Sequence, residues 1–332
     1  YQNGFDGKGL WIEVEVEKEL GFSSKTDIED YGVDKFVTLC KERVQRFSDI
    51  ITNQSKQLGY WMHWDDSYHT MSDENNYTIW NFLKTCNERG LLYEGTDAMP
   101  WCPRCSTGLS EHEIVTEGYQ EVVHPGLFVK FPVLDESGNK THKNILIWTT
   151  TPWTIPANKA LAYNKNLDYS IIEMNSLLKN IDNKKIVMAT KLLDQVSKEC
   201  EIGSYKLIGQ IKGKDFEGTI CSHPFENLGY QYDIPMLEAN FVTLEQGTGI
   251  VHCAPSHGPD DFNLCLKHGI KSLDTIDDDG RYTKHIEKFE GIHIFKADQI
   301  VIEKLKECKK LLADGKLTHS YPHSWRSKAP LV

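Results

Sequence analysis

The chain has 332 residues, 39% hydrophobic and 26% charged, an ordinary globular composition with room for roughly two domains of about 150 residues each. A formal charge of −11 argues against a protein that grips a long stretch of nucleic acid, because phosphate binding is cationic and driven by counterion release; a single-stranded end held by a few stacking and hydrogen-bonding groups stays compatible with it. No stretch approaches the ~20 apolar residues of a membrane span, no basic-then-apolar leader opens the chain, and nine scattered cysteines do not make a disulfide framework, so a reducing, cytoplasmic location is expected.

The opening stretch NGFDGKGLW places Gly4, Gly7 and Gly9 around Asp6. Such a loop either presents the carboxylate to an ammonium group or leaves it solvated. Over residues 31–58, Val33, Phe36, Val37, Cys40, Val44, Phe47 and Ile51 follow the spacing of an amphipathic helix. Thr70 with Asp73 three residues on predicts the start of a second helix, with Ile79, Phe82, Leu83 and Cys86 as its apolar face and Gly90 as its stop. The first 120 or so residues are thus mainly helical.

MPWCPRC, residues 99–105, carries Cys102 and Cys105 at the spacing of a zinc knuckle. Zinc needs four ligands, and no second close pair of cysteines exists. The stretch reads as a metal-free turn or as a site completed by histidines such as His319 or His323.

From about residue 123 the texture changes to short strand-like runs at 127–133, 144–150, 168–173, 185–189 and 236–243, interrupted by short helices at about 190–200, 259–268 and 298–313. This predicts a strand-rich, mixed α/β second domain over 123–319, and residues 320–332, apolar, aromatic and basic without periodicity, read as chain returning to the first domain. Within the second domain, ILIWTTTPWTIPAN (145–158) is an apolar strand ending in Thr149, Thr150 and Thr151. Threonine is good strand material, so the run alone needs no function. GTGIVHCAPSHGPDDF (247–262) leads an apolar strand to His252, then a turn, then Asp260 and Asp261 at the opening of a helix. Asp260 reads as a helix-end carboxylate and a lone His252 as a structural histidine; neither a P-loop nor a dinucleotide fingerprint is present.

Taken together these stretches resemble the class I aminoacyl-tRNA synthetases for aliphatic amino acids, and among them the isoleucyl enzymes. The motif WTTTPWT at 148–154 is the most specific, since the valyl and leucyl relatives tend to carry an arginine and an acidic residue in the corresponding run, and GTGIVHCAPSHGPDDF is similar to the other half of the family's editing pocket. The resemblance implies a strand-rich α/β editing domain (123–319) inserted into a partial Rossmann-type aminoacylation domain with a knuckle-like segment (1–122), and a return segment (320–332). The HIGH and KMSKS signatures for ATP are absent, so the chain corresponds to the middle of a synthetase; ATP and isoleucine are implied as substrates of the parent protein only.

For this chain the resemblance implies an aminoacyl-tRNA ester hydrolase that clears valine, as ester or adenylate, from isoleucine tRNA, with no cofactor for editing and with zinc in doubt. The doubt arises because many relatives pair CPRC with CWRC, where this sequence has Ser324-Trp325-Arg326-Ser327. Asp261 would take the α-ammonium, Thr149, Thr150 and Thr151 would give hydroxyls to the ribose and a water and methyls to the side chain, His252 would bound the side-chain pocket, Trp148 would contact the substrate, and Asp6 would hold the amino group in the aminoacylation site. A domain that holds the tRNA acceptor end without hydrolysing it is the alternative.

Overall fold

Residues 1–115, 118–175 and 185–332 are described by the computed structural model. They divide into two units, one of residues 1–96, 100–118 and 322–331, the other of 97–99, 119–321 and 332. The expected bounds were 122/123 and 319/320; the second unit reaches a few residues further each way, because its strand β5 (Tyr119–Leu134) pairs with β14 (Leu311–Pro322).

In the first unit, strand β1 (Gln2–Phe5) runs parallel to β2 (His63–His69), and the chain between them forms helices α1 (Leu10–Leu20), α2 (Thr26–Tyr31) and α3 (Val33–Gln57). Parallel strands require such a crossover, and this wiring is that of a partial α/β layer. Phe36 of α3 is buried with Val16 and Ile28, whereas Val33, Val37, Phe47 and Ile51 stay exposed. Helix α4 (Asp73–Glu88) starts two residues later than Thr70: Ser72 caps it, accepting from Asn75 N–H at 3.3 Å, while the Thr70 hydroxyl turns to Gly7 and Asp6. It stops as expected at Gly90, left-handed at φ 69°, but none of its residues is buried, so Ile79 and Phe82 remain exposed. The unit closes with the small β3 (Trp101–Cys102) and β4 (Thr107–Gly108) pair and α5 (Glu111–Val115).

The second unit is built on one mixed sheet. After β5 come β6 (Lys140–Thr149), β7 (Ala160–Tyr163), β8 (Asp168–Met174), β9 (Lys185–Ala189), α6 (Leu193–Glu199), β10 (Tyr205–Lys212), β11 (Ile220–Ser222), β12 (Asp233–Glu238), β13 (Ile250–Cys253), α7 (Pro259–Lys267) and α8 (Ala297–Glu307), then β14. The strand order is β10-β8-β9-β6-β5-β11-β12-β7-β13, with β14 on β5; β6–β9 and β7–β12 are parallel and the other registered pairs antiparallel. Ile145, Leu146 and Ile147 of β6 are buried on both faces, as their unbroken apolar run predicts, and they join the core with Leu127, Phe131 and Val187.

Two expected elements differ. The strand expected over 236–243 ends at Glu238: Ala239 N–H makes the last bond, to Tyr163 O at 2.8 Å, and the chain then turns so that Phe241 and Thr243 face a cavity. The helix expected over 298–313 ends at Glu307, where Lys309 takes a positive φ of 54° and Lys310 O accepts from Lys130 N–H of β5; residues 311–313 already belong to β14. Among the described residues no helix is long and apolar enough to cross a membrane.

Candidate active site

Strand β6 ends at Thr149, and Pro152 then forces the chain into a short 3-10 turn, Pro152–Ala157, all of whose residues are buried. The turn is held by its backbone: the Tyr282 hydroxyl donates to Trp153 O, and the Asp298 carboxylate lies near Trp153 N–H. The three threonines are thereby locked into a bend. Thr151 N–H donates to Thr149 Oγ1 at 3.2 Å, and the Thr149 and Thr151 hydroxyls lie 3.2 Å apart. Thr150 lines the same cavity, and its hydroxyl has no protein partner among the described residues.

The second wall comes from 247–261. Gly249 has φ 71°, and a Cβ there would lie 2.4 Å from the Ala189 Cβ, so only glycine lets this loop dock on the end of β9. Thr248 O accepts from Ala189 N–H at 2.8 Å, and the Tyr169 hydroxyl donates to Gly249 O at 3.0 Å. Strand β13 then carries His252 into the interior. Asn158 Nδ2 donates to Ala160 O at 2.9 Å and to His252 Nδ1 at 3.0 Å, which makes Nδ1 an acceptor. His252 Nε2–H therefore donates to Thr154 Oγ1 at 2.8 Å, and the Thr154 hydroxyl in turn donates to Thr151 O at 2.8 Å. Burial pushes the His252 pKa down to about 4, so the ring is neutral near pH 7.

Asp261 sits in the first turn of α7 and accepts from Ala254 N–H at 2.8 Å through Oδ2. Burial outweighs that bond and the neighbouring Cys253 thiol and raises its pKa to about 6, leaving a carboxylate that is ionised at neutral pH yet poorly hydrated. Asp260 beside it is exposed, as expected of a carboxylate at a helix end.

These walls enclose one cavity of about 320 Å³ that brings together Trp148, Thr149, Thr150, Thr151, His252 and Asp261. Residues that sequence reasoning missed complete it: Thr154 and Asn158 orient His252, and His257 lines the cavity edge-on to Trp153 at 4.8 Å, its ring bonded to Thr275 and kept neutral by burial. The available signal was the pair of polar residues, four apart, inside an otherwise apolar stretch. Chemically the cavity offers one anionic carboxylate, a cluster of hydroxyls and a neutral imidazole, which suits a cationic amine next to a polar reacting centre with a small apolar group.

The remaining expected site residues lie in the first unit and do not line this cavity. Asp6 is exposed, its Oδ1 accepting from Lys8 N–H at 3.2 Å and from the Thr70 hydroxyl. Cys102 and Cys105 are buried together, but among the described residues no group of three or more His, Cys, Asp or Glu side chains is placed to hold a metal ion. His319, in the second unit, pairs instead with His124 at 2.9 Å, and His323 does not join the cysteines; Ser324 and Ser327 do.

Residues 1–307 match the family described as tRNA synthetases class I (I, L, M and V). The whole chain is 52% identical over 333 residues to the isoleucine–tRNA ligase of Pelagibacter ubique (strain HTCC1062), of which it covers 36%. It is 39% identical to the isoleucine–tRNA ligases of Clostridium novyi (strain NT), over 99% of this chain and 30% of that protein, and of Pyrococcus horikoshii, over 100% and 31%. The chain thus spans about a third of the length of these relatives. Among solved structures, the cytosolic leucyl-tRNA synthetase editing domain of P. falciparum aligns with 57% of this chain and 98% of its own, at 12% identity and a TM-score of 0.41.

Proposed function

Because this chain belongs to the class I tRNA synthetases, we propose that its second unit is an editing site that hydrolyses valine wrongly attached to isoleucine tRNA. The carrying observation is the single cavity in which the Asp261 carboxylate, the threonine hydroxyls and the neutral His252 ring converge. An isoleucine site rejects valine poorly, since one methylene is worth only about 1–3 kcal/mol, a limit for which isoleucyl synthetases are the standard illustration. A second, hydrolytic site that admits the smaller product removes the error.

In this reading Asp261 binds the α-ammonium of the valyl ester, a charge-assisted contact strengthened by the poor hydration of its carboxylate. That fixes the ester carbonyl against the threonine wall. Thr150, whose hydroxyl has no protein partner among the described residues, together with Thr149 and Thr151 positions the terminal ribose and a water. The water oxygen bonds to the carbonyl carbon, the bond from that carbon to the ribose oxygen breaks, and the proton passes to the ribose oxygen, releasing valine and tRNA. No serine or cysteine is among the described residues that line the cavity, and the Cys253 thiol beside Asp261 is pushed well up by burial and the negative charge of Asp261. His252, fixed on both ring nitrogens, is a rigid wall whose bulk leaves room for valine and not for isoleucine. The same cavity accepts valyl-adenylate, whose ammonium and carbonyl are arranged alike. In the parent protein ATP and isoleucine serve the separate aminoacylation site, to which Asp6 contributes, and the location is cytoplasmic.

The test is deacylation of valyl-tRNA by the purified chain and by Asp261→Ala. The wild type is expected to cleave the ester and the variant to lose cleavage while keeping its fold. Retained cleavage in the variant overturns the assignment of Asp261, and binding of the acceptor end without cleavage by the wild type makes the domain a holding module.

A further inference from the structure

Two loops with the same spacing, Cys102-Pro103-Arg104-Cys105 and Ser324-Trp325-Arg326-Ser327, face each other in the first unit. Each is a tight turn: Cys105 N–H donates to Cys102 O at 3.1 Å, and Ser327 N–H donates to Ser324 Oγ at 3.3 Å. Their four side chains converge. Cys102 Sγ and Ser327 Oγ are 3.4 Å apart, and the two thiols lie close enough to interact with each other, as do Cys105 with Ser327 and Cys102 with Ser324. Cys102, Cys105 and Ser324 are at most 2% exposed. With zinc–sulfur bonds of about 2.3 Å, neighbouring corners of a tetrathiolate site lie roughly 3.8 Å apart, so this cluster has nearly the outline of a zinc site.

Its donor set is wrong for zinc. Structural zinc takes thiolate, imidazole or carboxylate ligands, and a serine hydroxyl, which stays protonated near neutral pH, is a poor substitute for two of the four. Other contacts do the holding. Arg104 pairs with the fully buried Glu17 at 2.7 Å, and Glu17 also takes Lys25. On the opposite loop Arg326 pairs with Glu113, Trp325 Nε1–H donates to the same carboxylate at 3.4 Å, and the Trp325 ring stacks on Trp11 with an interplanar angle of 3°.

We propose that these paired loops form a metal-site outline that folds without metal, its thiols and hydroxyls bonded to one another and its two halves anchored by the Arg104–Glu17 and Arg326–Glu113 pairs. Two hydroxyl-to-thiol changes are then enough to create a zinc site. The experiment equilibrates the full chain with zinc, removes loosely held metal on a weak chelator, and counts what remains; cobalt(II), whose absorption reports a tetrathiolate shell, is titrated in parallel. The wild type is expected to retain less than about 0.1 zinc per chain and to melt at the same temperature with or without chelator, while Ser324→Cys/Ser327→Cys retains about one, shows the cobalt spectrum and melts higher with metal.

A wild type that retains about one zinc and melts lower after chelation overturns the proposal. So does a double variant with native circular dichroism and no cobalt spectrum, because the four corners then do not converge. Should the double variant not fold, Cys102→Ser decides together with the wild-type count. That variant is expected to leave folding and the metal count unchanged, whereas a true zinc site would lose both.

Discussion

Replacing Asp261 by asparagine separates the catalytic and structural consequences of one buried charge. The carboxylate titrates at about 6 rather than 3.8, so the native state binds its proton more tightly than the unfolded chain does. The sign follows: ionising Asp261 costs the native state, and the cost is absent below pH about 4, grows as pH rises toward 6 and is complete above it. Each tenfold change in proton affinity is worth about 1.4 kcal/mol, which gives about 3 kcal/mol for a fully enclosed group and about 1–3 kcal/mol here, where the cavity side of the carboxylate meets water. Asparagine keeps an acceptor for Ala254 N–H and carries no charge. Asp261→Asn should therefore unfold at a higher temperature than wild type at pH 7.5, by about 2–4 °C per kcal/mol for a domain of this size, and the gap should close toward pH 4. Paired thermal melts from pH 4 to 8 measure it, alongside deacylation, which the variant should lose at every pH. Asp298, raised to about 6 as well, is common to both proteins and drops out of the difference. A variant that melts lower than wild type at pH 7.5, or a gap that does not change with pH, refutes the reasoning.

Other expectations follow from the same geometry. Wild-type deacylation should fall as pH drops through about 6, where Asp261 loses its charge, while His252 and His257, neutral down to about 4 and 3, add no step of their own between pH 5 and 8; an acid limb centred above 7 contradicts this. His252→Ala should open the pocket to isoleucyl-tRNA, seen as cleavage of the correctly charged ester, and cost about 1–3 kcal/mol in urea unfolding because Thr154 and Asn158 lose a buried partner. Intact isoleucyl ester in a folded variant removes the size-exclusion role. Gly249→Ala should destabilise through a left-handed φ and a 2.4 Å clash with Ala189, about 1–3 kcal/mol from each, and a loss below about 0.5 kcal/mol shows that the loop adjusts.

What the sequence revealed depended on how local each signal was. β6 was legible because Ile145, Leu146 and Ile147 form an unbroken apolar run, and α3 because its pattern extends over 25 residues. β10 was not, since Gly209 and a register shift between Leu207 and Gly209 interrupt the alternation, with Leu207 and Ile208 left exposed. β14 was not legible because Asp314 and Gly315, residue types depleted in strands, interrupt it, and Ala160–Tyr163 is too short to show any period. The facing of the α4 residues was also beyond local pattern: the spacing of Ile79 and Phe82 says which side is apolar, not whether anything packs on it.

The site divides the same way. Asp261, His252 and the threonines lie in two stretches about 100 residues apart, and their convergence is a product of β7 pairing with β13, which local sequence does not encode. Thr154 and Asn158 were overlooked because their role depends on the 3-10 turn after Pro152 aiming them at His252.

The most direct test of the editing reading gives the wild-type chain valyl- and isoleucyl-esters of isoleucine tRNA side by side and follows release of each amino acid. The cavity bounded by Asp261, the threonines and His252 predicts that the valyl ester is hydrolysed and the isoleucyl ester is spared. Equal hydrolysis of both, or of neither, contradicts it.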